Sequence, residues 1–350
     1  LNFSESGWWG RIFSTMKVLI YFRPLLPVFL VAASSAFAKT PFEYVWGTAH
    51  HVLSETHSDE SGYFSLCEGN DGRIYVGTAK YGENAYLVEF DPVTGKQRIV
   101  VDAHKVCGLN AKGFAAQAKF HTRNYVGPSG VIYAGTKQGY AKKGDKSEYP
   151  GGYLITYDPR NDTARNLGMP YKKQGIADVV ADESRGLVYV VTCEDQHWML
   201  YDFATKKFTE LGPMLTPYAT TLMDAEGKAH TLTKDFQLAT YDPATKKVTQ
   251  RPIEIGGKPF LRENRSAIPT WNLDPDGRTA WLILMNDAHL LSIDLFSKGK
   301  KANGANHGLM LKGERPDSRS ALTIAPDGQI YTLISVQNTT GFGKGKLHHL

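Results

Sequence analysis

The sequence predicts an all-β chain folded as a β-propeller. Three observations carry that expectation: one phrase repeats along the chain, its residue types suit short strands and tight turns, and the repeat region lacks long helical patterning. The phrase is a turn ending in Gly, a β-rich run, then a hydrophobic residue, usually aromatic, and Asp, often followed by Pro and Thr-Lys or Thr-Gly-Lys. Internal repeats of this length signal solenoids, propellers or arrays. Tandem sandwiches, the rival all-β architecture, would not need one signature repeated head to tail.

The turn glycines are Gly72, Gly130, Gly186, Gly227, Gly277 and Gly328, spaced by 58, 56, 41, 50 and 51 residues. Asp-Gly and Ser-Gly pairs supply the positive φ of a tight hairpin. The Ile-, Val-, Tyr- and Thr-rich runs that follow prefer a pleated sheet. The Asp-Pro-x-Thr-Lys segments read as a second hairpin turn, whose Pro and Lys also discourage edge pairing. Each unit thus holds about four short strands, one propeller blade. A blade buries both faces only by stacking on its neighbours. The composition, 42% hydrophobic and 11% aromatic with 34 Gly, agrees. About six blades are expected, the sixth lacking its Asp, so the chain reads as a fragment of a seven- or eight-bladed ring. The rival reading closes a six-bladed ring with segment 42–47.

Residues 1–15 read as upstream read-through. Residues 16–38 read as a signal peptide: Met16, Lys17 and Arg23, the apolar run 25–33, and a small-x-small site at Ala36-Phe37-Ala38. The propeller is then 39–350, exported to the periplasm or beyond, with no stable membrane span after cleavage. Cys67, Cys107 and Cys193 form an odd set without zinc spacing and read as packing residues, Cys193 doubling as a candidate reactive thiol. No metal ligands are assigned, although a structural or catalytic divalent metal is left open. The net charge of +5 favours acidic ligands. No basic run with interleaved aromatics points to nucleic acid. A monomer is expected.

Function is sought where the repeat departs from itself. Five inner strands (62–68, 176–182, 219–225, 268–274, 320–326) are small or apolar. The second, 119–126, carries Lys119, His121, Arg123 and Tyr125 at alternate positions, hence on one face. Burying such groups unpaired is expensive, so carboxylates or an anionic ligand must meet them. In the same blade, turn Gly to Asp takes 28 residues (Gly130 to Asp158) against 15 to 19 elsewhere. The excess is a polar loop, 137–152, and the approach segment 101–118 is long as well. Long loops in a compact repeat are often binding loops. Other rim positions add Lys80, Tyr81, Lys137, Tyr140, His197, Arg265 and Arg319, an electropositive funnel with a few carboxylates. Arg123 has a second reading, an ion pair between blades with Glu68 or Asp178, and His121 a second reading as a hydrogen-bonded core histidine.

From Lys39 onward the chain resembles exported β-propeller proteins of environmental bacteria, on the phrases at 77–92, 113–124, 149–159 and 339–350. More distantly it is similar to propeller enzymes of uronic-acid polysaccharides: ulvan lyases, oligogalacturonate lyases and rhamnosyl-glucuronate lyases and hydrolases. That resemblance implies chemistry at an inner-strand histidine, here His121. The expected function is binding, and cleavage by β-elimination, of an acidic polysaccharide. Arg123, Lys119 or a rim lysine would neutralise the uronate, His121 would be the base, and Tyr125, Tyr140 or Tyr149 the acid. The alternatives are a non-catalytic glycan- or protein-binding propeller, and a lactonase (calcium on Glu68, Asn286 and Asp287) or quinoprotein-type enzyme.

Overall fold

In the computed structural model the first five copies of the repeat each fold into a sheet built on four antiparallel strands, and the sixth into two short antiparallel ladders. The structure describes residues 47–60, 64–261, 270–285, 287–313, 316–317, 322–341 and 343–350. The signal-peptide reading, segment 42–46, Arg265, Asn286 and Arg319 lie outside the described residues. Blade 1 comprises Leu66–Glu68, Ile74–Gly77, Tyr86–Phe90 and Gln97–Asp102, paired in that order. Blade 3 (Ile176–Asp182, Leu187–Thr192, Trp198–Asp202, Lys207–Glu210) and blade 4 (Leu222–Met223, Ala229–Leu232, Leu238–Asp242, Lys247–Arg251) repeat this order. Blade 5 runs Thr270–Leu273, Thr279–Ile283, His289–Asp294 and Ala302–Leu309; Ile253–Ile255 joins its outer strand in parallel. Blade 6 appears as two ladders, Leu322–Ile324 with Ile330–Thr332 and Ile334–Gln337 with Lys346–His349. The fold is therefore an all-β propeller, with six blades among the described residues.

The turns follow the chemistry of the repeat. All six turn glycines have left-handed φ, from 66° to 86°. The repeated Asp holds the second turn by accepting from backbone amides two and three residues on, as Asp91 does from Val93 and Thr94 at 2.8 and 3.1 Å. The residue closing that turn is left-handed: Gly95 in blade 1, but Lys206 and Lys246 in blades 3 and 4, which accept the strain.

Packing runs between blades. In Leu187–Thr192, Val188 and Val190 face a cluster shared with blade 2, and Tyr189 and Val191 one shared with blade 4. That period of two is how one strand serves both neighbours. Trp198 and Trp271 are fully buried, with indole N–H groups donating to Thr221 Oγ1 (3.2 Å) and the Thr220 carbonyl (3.0 Å). The inner strands surround an axial channel, lined in turn by Leu66, Arg123, Asp178, Thr221, Asn272 and Leu322, one from each blade.

Blade 2 departs from the others. Lys119 pairs with Lys137 and Tyr125 with Tyr133, so six steps on the inner strand oppose four on its neighbour. The two surplus residues form a bulge at 122–124, and Gly135 N–H donates to Thr122 Oγ1 rather than to a backbone carbonyl.

Candidate functional site

The bulge divides the expected set. Lys119 and His121 stay at the loop end of the strand, whereas Arg123 and Tyr125 line the axial channel. The expected convergence of all four is thus replaced by two locations.

At the loop end the two insertions meet. Asp145 accepts from the Phe114 amide (2.6 Å) and from the Ser147 amide and hydroxyl (2.9 and 2.6 Å), while Ser147 Oγ accepts from the Ala115 amide at 3.1 Å. Gly113 makes the approach possible: it has φ +65°, and a Cβ there would lie 2.4 Å from Asp145 Oδ2. Gln117, fully buried, is the strut beneath. Its Oε1 accepts from Thr136 (2.6 Å) and Tyr149 (3.1 Å), and its Nε2 donates to the Gly151 carbonyl at 3.0 Å. His104, in the short helix Ala103–Cys107, accepts from the Gln117 amide at 3.0 Å. The hydrogen bonds from Ser147 and Phe114 hold the Asp145 carboxyl below its ordinary range. Asp145→Ala should therefore loosen both loops without unfolding the blades. Amide exchange at Phe114 and Ser147 should quicken by about ten-fold, the loss of on the order of 1 kcal/mol; unchanged exchange would refute the clamp.

Lys119 lies behind this clamp, 2% exposed. Its Nζ sits 4.9 Å from the Tyr81 ring centre and 5.6 Å from that of Tyr140; the two rings meet edge to face at 5.1 Å. Burial and the nearby Lys137 push the Lys119 ammonium down to about 8. Tyr140 itself is 69% exposed, and Lys142, Lys143 and Lys146 beside it are exposed as well.

His121 is buried beneath. Its Nδ1 lies 3.2 Å from the Ile176 carbonyl, which can only accept, so Nδ1 carries the proton; Cys193 Sγ is 3.6 Å from the same nitrogen. Burial, with Lys137 and Lys119 nearby, pushes its pKa down to about 3. It therefore has the hydrogen-bonded core setting that was the second reading of this residue. Cys193 is free and buried, its thiol pushed up to about 12, which removes the thiolate a reactive cysteine needs. Tyr149 is a buried strut, with burial raising it well above the ordinary phenol range.

Among the described residues, several basic side chains of the rim have carboxylate partners. Lys80 pairs with Asp59 (2.9 Å), Lys137 with Glu194, and His197 with Glu210 (2.7 Å) while stacking on Tyr171 at 3.9 Å. Arg123 pairs with Asp178 at 3.4 Å, the inter-blade pairing offered as its second reading. The net field at the rim is accordingly weaker than the lysine count suggests. Among the described residues, no three His, Cys, Asp or Glu side chains gather as a metal site. Asp287 instead hydrogen-bonds His289 at 2.7 Å.

Sequence reading missed Gln117, Asp145 and Glu60, whose carboxylate accepts from the Tyr81 amide at 2.8 Å. Gln117 had one available signal, a lone amide in the run AAQAK. Asp145 had another, the sole acid within Lys142–Lys146.

No protein-family model matches the chain, and no curated protein does. Solved structures share its fold. A fungal alcohol oxidase of the AA5 family, in complex with copper, is 11% identical at TM-score 0.52; the match covers 78% of this chain and 58% of the oxidase, so the chain spans little more than half of that relative. Kuenenia stuttgartiensis hydrazine synthase is 13% identical at TM-score 0.50, covering 84% and 78%. The periplasmic gluconolactonase of Pseudomonas aeruginosa is 11% identical at TM-score 0.50, covering 79% and 82%. At these identities the likeness is one of fold, and function must come from the site. None of the three is a polysaccharide lyase. Among the described residues, no helix is long and apolar enough to cross a membrane.

Proposed function

We propose that this is an exported propeller that binds an acidic, uronate-bearing polysaccharide across the loop end of blade 2. The observation that carries the reading is the clamp. Asp145 and Ser147 hold the two insertions together and so present exposed Tyr140 with Lys142, Lys143 and Lys146 on one tethered loop. An aromatic ring offers a flat face to a sugar's C–H surface, and ammonium groups meet its carboxylates. The paired cations Lys80 and Lys137 lie at the margin of this surface, with Tyr81 and Lys119 behind it.

Titration with polygalacturonate and a neutral glucan tests the proposal. The acidic polymer should bind and the neutral one should not. Tyr140→Ala and the triple replacement of Lys142, Lys143 and Lys146 by Ala should each weaken binding about ten-fold, the lysine replacement more so at low salt. Equal affinity for both polymers overturns it.

A second reading, cleavage by β-elimination, is favoured by one observation: Lys119 Nζ is buried against the Tyr81 and Tyr140 rings, at 4.9 and 5.6 Å from their centres, a setting that pushes its ammonium down to about 8. A neutral Lys119 amine would take the C5 proton, the C4–O bond would break as the double bond forms, and Tyr140 would return a proton to the leaving oxygen. Lys119 suits the base role better than His121, whose imidazole binds a proton too weakly. Tyr140 must move aside for substrate to reach it. The test is growth of the unsaturated uronate's ultraviolet absorbance, lost in Lys119→Met. The lactonase alternative has only shared fold behind it.

A further inference from the structure

A cavity of about 390 Å³ opens in the gap between blades 2 and 3, within the range of about 300–1,000 Å³ that holds small ligands. It adjoins the end of Leu154–Asp158 that is remote from loop 137–152. The repeat itself supplies the comparison that gives this gap meaning. Two residues before the repeated Asp stands Glu89 in blade 1 and Thr156 in blade 2; seven after it stand Arg98 and Arg165. These are directly opposed cross-strand pairs, Glu89 with Arg98 and Thr156 with Arg165. The following blade adds the aromatic before its Asp and the residue four after it: Tyr157 and Asp162 against Arg98, Tyr201 and Lys206 against Arg165.

Between blades 1 and 2 this set is closed. Arg98 Nε and Nη2 donate to the two Glu89 oxygens at 3.0 and 2.7 Å, and Nη1 donates to Asp162 at 2.9 Å. Tyr157 donates to the same Asp162 oxygen at 2.7 Å. Between blades 2 and 3 both carboxylates are gone. Thr156 is shorter and neutral, which leaves room, and Lys206 reverses the charge of Asp162. Arg165, the Tyr201 hydroxyl and the Lys206 ammonium all border the cavity, and none makes a side-chain hydrogen bond or ion pair among the described residues. The carboxylate in the wall, Asp158, is already neutralised: its two oxygens accept from Arg160 Nε and Nη2 at 2.9 and 2.8 Å. Phe203 packs edge to face on Tyr201 at 5.2 Å and adds an apolar side. The repeat does not impose this arrangement, since blade 3 has Thr209 where blade 2 has Arg165. Lys206 also holds a left-handed φ of 55° at the position that Gly95 fills in blade 1 at 71°.

We infer that this gap binds a small dicarboxylate. One carboxylate is forked on Arg165 as Glu89 is on Arg98, and the other is met by Lys206 and the Tyr201 hydroxyl, in the place that Asp162 takes beside Tyr157. The planar guanidinium fork matches a carboxylate, and the internal Glu89–Arg98 pair shows that this strand register presents it. The inference is independent of polysaccharide binding at the loop end.

Calorimetric titration of the full chain with glutarate, butyrate, glutaramide and sulfate tests it. Glutarate should bind saturably and at least about ten-fold tighter than butyrate, which has one carboxylate, and than glutaramide, which has none. Sulfate, a dianion without the spacing of two carboxylates, should bind at least about ten-fold more weakly as well. Arg165→Gln and Lys206→Gly should each lose about ten-fold in glutarate affinity; the second introduces the residue that blade 1 carries at that turn, so loss of fold does not explain the result. Thr156→Glu restores the internal partner of the arginine and should abolish glutarate binding with the blades intact. The inference is overturned if glutarate does not bind, if butyrate, glutaramide or sulfate binds as well as glutarate, or if affinity survives Lys206→Gly or Thr156→Glu.

Discussion

The unfolding free energy should fall by about 3–5 kcal/mol more in the wild-type protein than in His121→Gln as pH drops from 7 to about 3. The unfolded chain protonates its histidine near 6.5, whereas the folded chain resists until about 3. Above pH 6.5 both states hold a neutral ring and the group adds no pH dependence. Below it, the unfolded state binds one more proton, so stability is lost at about 1.4 kcal/mol per unit until the folded pKa is reached. The charged groups nearest the ring oppose the cation. Lys137 and Lys119 repel it, Phe64 packs against it, Cys193 is a neutral thiol, and the Ile176 carbonyl favours it. Glutamine keeps an N–H for that carbonyl without a titrating group. Urea unfolding at several pH values gives both slopes, and parallel slopes would show that His121 is not held neutral. Carboxylates stabilised by pairing, Asp224 with His230 at 2.8 Å among them, add their own acid lability to both proteins and cancel in the comparison.

The architecture was legible because it is written in local chemistry that recurs. Turn glycines, the Asp that caps the second turn, and β-branched runs each act within a few residues, and six copies average out the noise of any one. The inner strands at 119–126 and 176–182 fall where the repeat places them. The site was half legible. Blade 2 was identifiable as deviant from its charges and its two insertions, and those insertions do meet. Alternation alone could not reveal that two surplus residues bulge at 122–124, because the register depends on which residue of the neighbouring strand pairs with Tyr125. That slip separates Arg123 and Tyr125 from Lys119 and His121. Pairing partners were equally hidden. The Lys137–Glu194 contact depends on a loop in which Glu194 and Gln196 both take left-handed φ, 72° and 58°, a conformation no composition rule assigns to those residues. Asp178 was foreseen as one of two partners for Arg123, since a carboxylate on an otherwise apolar inner strand needs a cation.

Replacing Lys119 by methionine should make the protein more stable while removing the ammonium beside the exposed Tyr140. Two opposing terms decide the sign. Lowering the ammonium from 10.5 to about 8 corresponds to about 3 kcal/mol of disfavoured charge at neutral pH. The contacts with Tyr81 and Tyr140, at 4.9 and 5.6 Å, return about 1–2 kcal/mol between them. Methionine fills similar space, remains apolar and keeps a favourable sulfur–ring contact. The net gain should be about 1–2 kcal/mol at pH 7. It should shrink as pH rises from about 8 towards 10.5, because the unfolded lysine then loses the proton that the folded one has already released, and the difference between the states disappears. Binding of polygalacturonate should weaken in the same variant, and under the elimination reading its turnover should vanish. Chemical denaturation at pH 7 and near pH 10.5, with the titration repeated on Lys119→Met, separates the outcomes. A variant less stable than wild type at pH 7 would mean that Lys119 is a structural support; a more stable one that binds and turns over acidic glycan unchanged would remove Lys119 from the site. A gain in stability with a loss of binding is the pattern of a residue kept at a structural cost for its role towards a ligand.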